Sequence, residues 1–296
     1  MKIFKKLFAL TLAVLSCAIL FTACDEEKKP STNGDETQTE QGAKDENTAT
    51  AATTINALLE GKSGEISISV QTLTRLKTSS AQTLTLGSSA LEKVIIDGGA
   101  NGAMLEFTGA GASAVQLHEN ATLVFKNLTF KDDTSVASQG HSAGYIKFGG
   151  KLRFENCKIY DGVALKNDAN AEFENCSFLS SNPSKYAAWV SAGNVSFKNC
   201  SFTGARGIKI HEELNFDVIS VVIDGCRFDN LTKKPALAIG DICIDPANTK
   251  ISIKNCTISE CGAWDNVGSL EGIDGLYEAH TLTSAFEFIQ ENNRIN

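Results

Sequence analysis

Several protein classes leave marks that this chain lacks. It has no Lys/Arg-rich block and no basic stripe with interleaved aromatics, so the electrostatic footprint of a nucleic-acid binder is missing. Acidic residues outnumber basic ones, 35 to 27, for a net charge of −8. None of its nine cysteines forms a Cys-x-x-Cys pair, which removes the usual zinc signatures. No second long apolar run follows the first 23 residues, so the body of the chain is expected to be soluble. The connections between its strand-like stretches are too short for crossover helices, which excludes a doubly wound sheet.

The chain opens with Lys2, Lys5 and Lys6, an apolar run from Leu7 to Ala23, and then Cys24. That is the layout of a secretory signal. Phe21-Thr22-Ala23-Cys24 resembles the lipobox of bacterial lipoproteins, with Phe21 where that motif normally has Leu. The resemblance implies a signal peptide over 1–23 and a lipidated Cys24 as the mature N-terminus. It implies a place in the bacterial cell envelope, held at a membrane on the cell surface or the periplasmic face. Two alternatives are a plain transmembrane anchor and cleavage before Cys17. Apolar sequence continues after Cys17, whereas charge begins directly after Cys24. Residues 24–52 are Asp, Glu, Lys, Thr, Gln, Asn and Ala with almost nothing apolar. Such a segment buries too little surface to fold, and it reads as a disordered tether. Residues 53–296 are globular in composition.

Within them one phrase recurs: Phe154-Glu155-Asn156-Cys157-Lys158-Ile159, Phe173-Glu174-Asn175-Cys176-Ser177-Phe178, Phe197-Lys198-Asn199-Cys200-Ser201-Phe202, Ile223-Asp224-Gly225-Cys226-Arg227-Phe228 and Ile253-Lys254-Asn255-Cys256-Thr257-Ile258. Weaker copies lie at Phe125-Lys126-Asn127-Leu128 and Ile96-Asp97-Gly98. A repeat of this length marks a solenoid, whose coils bury apolar side chains against their neighbours. With the motif Asn as zero, apolar residues fall at −4, −2, +1 and +3, with polar or small residues between −4 and −2. The alternation is a strand with one face buried. Its phase slips by one residue at the Asn, so a bend sits there, and Asn and Gly are the residues that tolerate left-handed backbone. A third alternation precedes each next motif, as in Tyr145–Phe148, Gly162–Leu165, Gly207–Ile210 and Pro235–Ile239. Three short strands per coil, stacked at about 4.8 Å, make a parallel β-helix. Asn127, Asn156, Asn175, Asn199 and Asn255 would then form a ladder of side-chain amides. The first strands are expected at Glu65–Val70 and Thr83–Leu86, a capping helix at Thr54–Leu59, and a last partial coil or capping helix at Ser284–Asn296.

From Leu84 to about Cys261 this pattern resembles the right-handed parallel β-helix superfamily, the pectin-lyase-like fold. The resemblance implies an all-β, single-stranded right-handed parallel β-helix with capped ends. It also directs attention to polysaccharides. A lyase of this fold would hold calcium on acidic residues from neighbouring coils, with an Arg or Lys as base. A hydrolase would pair carboxylates. Lys131-Asp132-Asp133, Gly140-His141-Ser142 and Arg206-Gly207-Ile208-Lys209 match those sets poorly, and Asn-Thr-Asp is missing. No cofactor is expected, and no calcium outside the lyase alternative.

Cys157, Cys176, Cys200, Cys226 and Cys256 all occupy position +1. Their spacing follows the coil length, and Leu128 fills the same slot in an earlier coil. The column is therefore read as small apolar fillers of an inward corner, with no metal role. Cys243 and Cys261 stand outside it and could pair in an oxidising compartment.

The best binding candidate is the outward column of the third strand: Lys147, Ala164, Trp189, Lys209 and Ala238, followed by Gly149, Lys166, Ser191, His211 and Gly240. Alternation turns Trp189 outward between Ala188 and Val190. A sugar ring stacked on its indole, with an acidic substituent on a flanking Lys, would suit this strip. Arg206 and Tyr186 lie at its edge. The plain alternative is that Trp189 packs under the Asn182–Tyr186 loop. The sequence thus favours a non-catalytic lipoprotein that binds glycan or another host or envelope macromolecule. A divergent polysaccharide lyase or hydrolase is the alternative, and a passive structural envelope protein a third.

Overall fold

The computed structural model describes residues 59–69, 84–86, 90–107, 114–117, 121–132, 146–166, 169–213, 217–263, 271–281 and 283–296. By contacts the chain divides into Met1–Ala43 and Lys44–Asn296, and every described residue belongs to the second unit. The signal segment 1–23, the tether 24–52 with Cys24, and Thr54–Asn56 through residue 58 of the expected capping helix lie outside the described residues. Leu59, the last residue of that expected helix, is buried.

Three parallel sheets carry the fold. The first stacks Gly64–Ser69, Leu91–Asp97, Thr122–Lys126, Lys151–Glu155, Asn170–Glu174, Gly193–Lys198, Val218–Asp224, Lys250–Lys254 and Glu287–Glu291. The second stacks Ala103–Phe107, Leu128–Asp132, Lys158–Tyr160, Ser177–Ser180, Ser201–Gly204, Arg227–Leu231, Thr257–Ser259 and Arg294–Ile295. The third stacks Leu84–Leu86, Ala114–Leu117, Ile146–Phe148, Val163–Leu165, Ala188–Val190, Ile208–Ile210, Leu237–Ile239 and Tyr277–Ala279. One antiparallel strand, Glu271–Ile273, closes the far edge of the third sheet. The chain visits the three sheets in turn, which is the solenoid that the repeat predicts.

Register follows the motif. Ile96 pairs with Phe125, Phe125 with Phe154, Phe154 with Phe173, Phe173 with Phe197, Phe197 with Ile223 and Ile223 with Ile253. The seven motif copies supply seven adjacent strands of the first sheet, and Gly64–Ser69 and Glu287–Glu291 add one at each end. Phe154 stacks on Phe173 at 4.4 Å between centroids and Phe173 on Phe197 at 5.0 Å, nearly parallel. A second column runs Phe178–Phe202–Phe228 at 4.6 and 4.7 Å. The columns meet edge-on, Phe173 to Phe178 at 5.4 Å, an arrangement that aromatic quadrupoles favour.

The bend residues behave as the phase slip requires. Asn127, Asn156, Asn175, Asn199 and Asn255 all have φ between 52° and 56°. Gly225 takes the same region at 64°, and there a Cβ would stand 2.6 Å from the Asn199 side-chain oxygen. Asn127 donates to Asp97 at 2.8 Å, Asn156 to Asn127 at 3.5 Å, Asn255 to Asp224 at 2.8 Å and Asn292 to Asn255 at 3.3 Å. Where Gly225 interrupts the amide column, Asp224 supplies the acceptor. The Asn127 bond, with the Gly99 amide, holds the Asp97 carboxyl below its usual pKa.

The five position +1 cysteines are buried and unbridged. Each thiol has two backbone carbonyls within hydrogen-bonding reach of its single S–H, one in its own coil and one in the preceding coil; Cys176, for example, lies 3.4 Å from both Glu174 O and Phe154 O. Burial without waste of the S–H donor explains why the corner takes Cys. Cys243 and Cys261 are also free.

Candidate functional site

The outer face of the third sheet is where the sequence places its binding strip. Register brings Lys147, Ala164, Trp189, Lys209 and Ala238 into one column, as expected, and continues it to Glu278. The indole does leave the main core. Yet Trp189 is only 3 % exposed, packed with Ala164, Tyr186 and Ala238 in a second small apolar cluster. The expectation of an open stacking platform is corrected here. Tyr186 comes from the loop before the strand and meets Trp189 edge-on at 6.0 Å, and His211 meets it at 5.9 Å. Alternation tells which side of the sheet a residue faces, and says nothing of what lies over that side.

The strip's charged residues are partly engaged as well. Lys166 pairs with the Glu213 carboxylate. His211 accepts the Asp241 amide hydrogen through Nδ1 at 3.1 Å, which leaves Nε2 as the donor nitrogen. Lys147 sits in register beside Ala164. Arg206 and Lys209 stand over the Tyr186 ring, with Cζ at 5.1 Å and Nζ at 5.9 Å from its centroid. Burial lowers the Lys209 pKa and raises that of Tyr186. Above them Lys234 grips both oxygens of the buried Glu278, at 2.9 and 3.0 Å. Neither Lys234 nor Glu278 belongs to the strip as read from the motif.

The outer face of the first sheet carries a concavity of about 590 Å³. Two columns line it. One runs Lys93, Thr122, Lys151, Asn170, Asn194 and Ser220; the other runs Val124, Arg153, Glu172, Ser196 and Val222. Asn194 donates to Asn170 at 2.9 Å. That bond uses one donor of Asn194 and the acceptor of Asn170, so each exposed amide keeps polar capacity for a ligand. Register slips between Gly193 and Asn194 against Val218 and Ser220. Ile219 is the extra residue, exposed beside the groove. Arg153 is held between Glu155 (2.8 Å) and Glu174 (3.0 Å). The residues of this groove sit at motif positions −5 and −3, so their alignment was readable from the repeat. The concavity was not.

Three carboxylates are buried among the described residues: Asp161, Glu212 and Glu278. Asp161 accepts the Ser181 amide and hydroxyl and the Asn182 amide. Glu212 accepts the amides of Val218, Cys243 and Ile244 at 2.7–3.0 Å. Both fasten loops to the solenoid, as buried acids with full sets of donors do. Among the described residues, no three His, Cys, Asp or Glu side chains cluster to hold a metal ion. Asp133 and the Gly140-His141-Ser142 segment lie outside the described residues.

Taken together, these features define a parallel β-helix protein with a polar groove on one outer face and a covered aromatic–cationic cluster on another. Residues 113–293 match the family model for the right handed beta helix region. This is more than half of the chain, which therefore belongs to that family. No curated protein and no solved structure matches the chain.

Proposed function

We propose that this chain is a lipid-tethered envelope protein of a bacterium, and that its β-helix binds a polysaccharide in the groove of the first sheet without cleaving it. The observation that carries the reading is the groove itself: a column of Thr122, Lys151, Asn170, Asn194 and Ser220 repeats at strand spacing along the concavity, with Ser196 beside Asn194. Hydroxyls and amides at a regular interval suit a ligand that repeats its own hydroxyl groups, and the amides offer donor and acceptor side by side. Lys151, exposed near one end, favours acidic over basic polymers, and Lys93 beyond it is paired with Glu65 at 3.4 Å. A non-catalytic role is supported by the buried carboxylates, which are committed to backbone amides or to Lys234. The anchor rests on the N-terminal sequence, with Cys24 joining the bilayer.

The test uses the full chain and a panel of neutral and acidic polysaccharides. Retention on the polymer and release of unsaturated or reducing ends are measured together. Retention without new ends, reduced about tenfold or more in an Asn170→Ala/Asn194→Ala double variant, is the expected result. New ends would turn the assignment to a lyase or hydrolase. Metabolic labelling with a fatty-acid analogue should mark the wild type and leave Cys24→Ser unlabelled.

A further inference from the structure

The cluster on the third sheet gathers three cations near one buried carboxylate, Glu278, with Asp241 as a second acidic neighbour of Lys209. Arg206 and Lys209 stand over the Tyr186 ring, and Lys234 is near enough to act electrostatically on its hydroxyl. The one buried carboxylate there, Glu278, has both oxygens within 3.0 Å of Lys234. Among the described residues, neither Arg206 nor Lys209 has a carboxylate within ion-pair distance. The Nε of Arg206 is buried with no acceptor among those residues, while the guanidinium also hydrogen-bonds Tyr186. Both side chains are only partly exposed. Cations taken partly out of water need a counter-charge, and a buried guanidinium N–H needs an acceptor. Gly240 makes room for the arrangement. A Cβ there would meet His211 Nδ1 at 2.6 Å and Lys209 Nζ at 3.0 Å, so the Lys209 ammonium lies close against the bare backbone of the next coil.

We propose that Arg206 and Lys209 form a binding site for one compact oxyanion, a sulfate or carboxylate group, beside the Tyr186 ring over which both cations stand. The site is independent of the groove, which lies on a different sheet. A guanidinium presents two parallel N–H donors to such a group, and the ammonium adds a point charge from the side. The group could be a free inorganic anion or the acidic substituent of a sugar. The groups facing Lys209 are Arg206, Lys234, Glu278, Asp241, Tyr186 and His211. Its pKa is lowered first by burial. An anion needs the charged ammonium, so affinity should fall as pH rises through that lowered value, before ordinary lysines titrate.

The test is calorimetric titration of the full chain in detergent micelles, at fixed ionic strength, with sodium sulfate, sodium glucuronate and glucose. Saturable binding of sulfate, glucuronate or both is expected, with none for glucose. Sulfate alone would assign a free anion, and glucuronate alone a sugar-borne one. Affinity should drop about tenfold or more in Lys209→Met and in Arg206→Met, and stay unchanged in Lys158→Met, an exposed lysine on the second sheet. If either variant fails to fold, the wild-type pH series decides, because sulfate itself does not titrate there. Absence of saturable anion binding, wild-type affinity in both folded variants, or binding that is flat across the alkaline range would overturn the proposal.

Discussion

At Asn255 a single side chain meets three demands at once. Its backbone is left-handed, with φ 56°. Its amide donates to Asp224 at 2.8 Å, and its oxygen accepts from Asn292 at 3.3 Å. Alanine meets none of them. Asn255→Ala should cost about 1–2 kcal/mol in urea unfolding, mostly from the left-handed backbone, and Asn255→Gly should cost less because glycine removes the strain and loses only the ladder. Equal costs would mean that the backbone angle is unimportant here. The cysteines give a second residue-scale expectation. Cys243 is exposed, whereas the five ladder thiols are buried and Cys261 is half-buried, with its pKa pushed up to about 11 by burial. Thiolates are the reactive species. Among the described thiols, a disulfide reagent at neutral pH should modify Cys243 first and reach the ladder only on unfolding, with mass spectrometry locating the sites. Rapid modification of Cys176 or Cys200 in the folded protein would contradict their placement.

Single strands show how register is kept. On the first sheet, position −1 reads Asp97, Lys126, Glu155, Glu174, Lys198, Asp224, Lys254 and Glu291 from coil to coil. Signs alternate almost throughout, with Lys126–Glu155 at 2.8 Å and Lys254–Glu291 at 3.0 Å. The one like-charged step, Glu155 to Glu174, is bridged by Arg153. Such exposed pairs add little stability each, but a slip by one coil would set like charges together. The larger energy is inside. Phe173 is fully buried between Phe154 and Phe197, so Phe173→Ala should cost about 3–5 kcal/mol. A cost under 1 kcal/mol in chemical denaturation would show that the stacked column contributes little. The inward strands, the bends and the third strand were all legible, because alternation and its one-residue slip are local. The last coil was half legible: of the partial coil and the capping helix expected at Ser284–Asn296, the structure has the coil, with strands Glu287–Glu291 and Arg294–Ile295 and Asn292 at φ 54° making the turn.

Across the whole molecule, the outer faces were the part that sequence described least well. Position in the repeat put Trp189 and Lys209 in one outward column, and the structure agrees. It left two readings of Trp189 open, an exposed platform or packing under the Asn182–Tyr186 loop, and the structure bears out the second, with Tyr186 over the indole. Position in the repeat could not show Glu278, which belongs to a strand without a recognisable motif copy. The concavity over Asn170 and Asn194 ends at Ser220 and Val222, beside the register slip that leaves Ile219 extra and exposed. Coil offsets are set by loop lengths, which the repeat leaves free. The sheet with the chemically suggestive residues is consequently the better covered one, and the sheet with plain Asn, Ser and Thr offers the open surface.

Hydrogen exchange of the full chain, with and without a retained polysaccharide, tests that distinction most directly. The account predicts slowed exchange confined to Lys151–Glu155, Asn170–Glu174 and Gly193–Lys198, the strands under the groove. Protection confined to Ala188–Val190 and Ile208–Ile210, with those three strands unchanged, would contradict it.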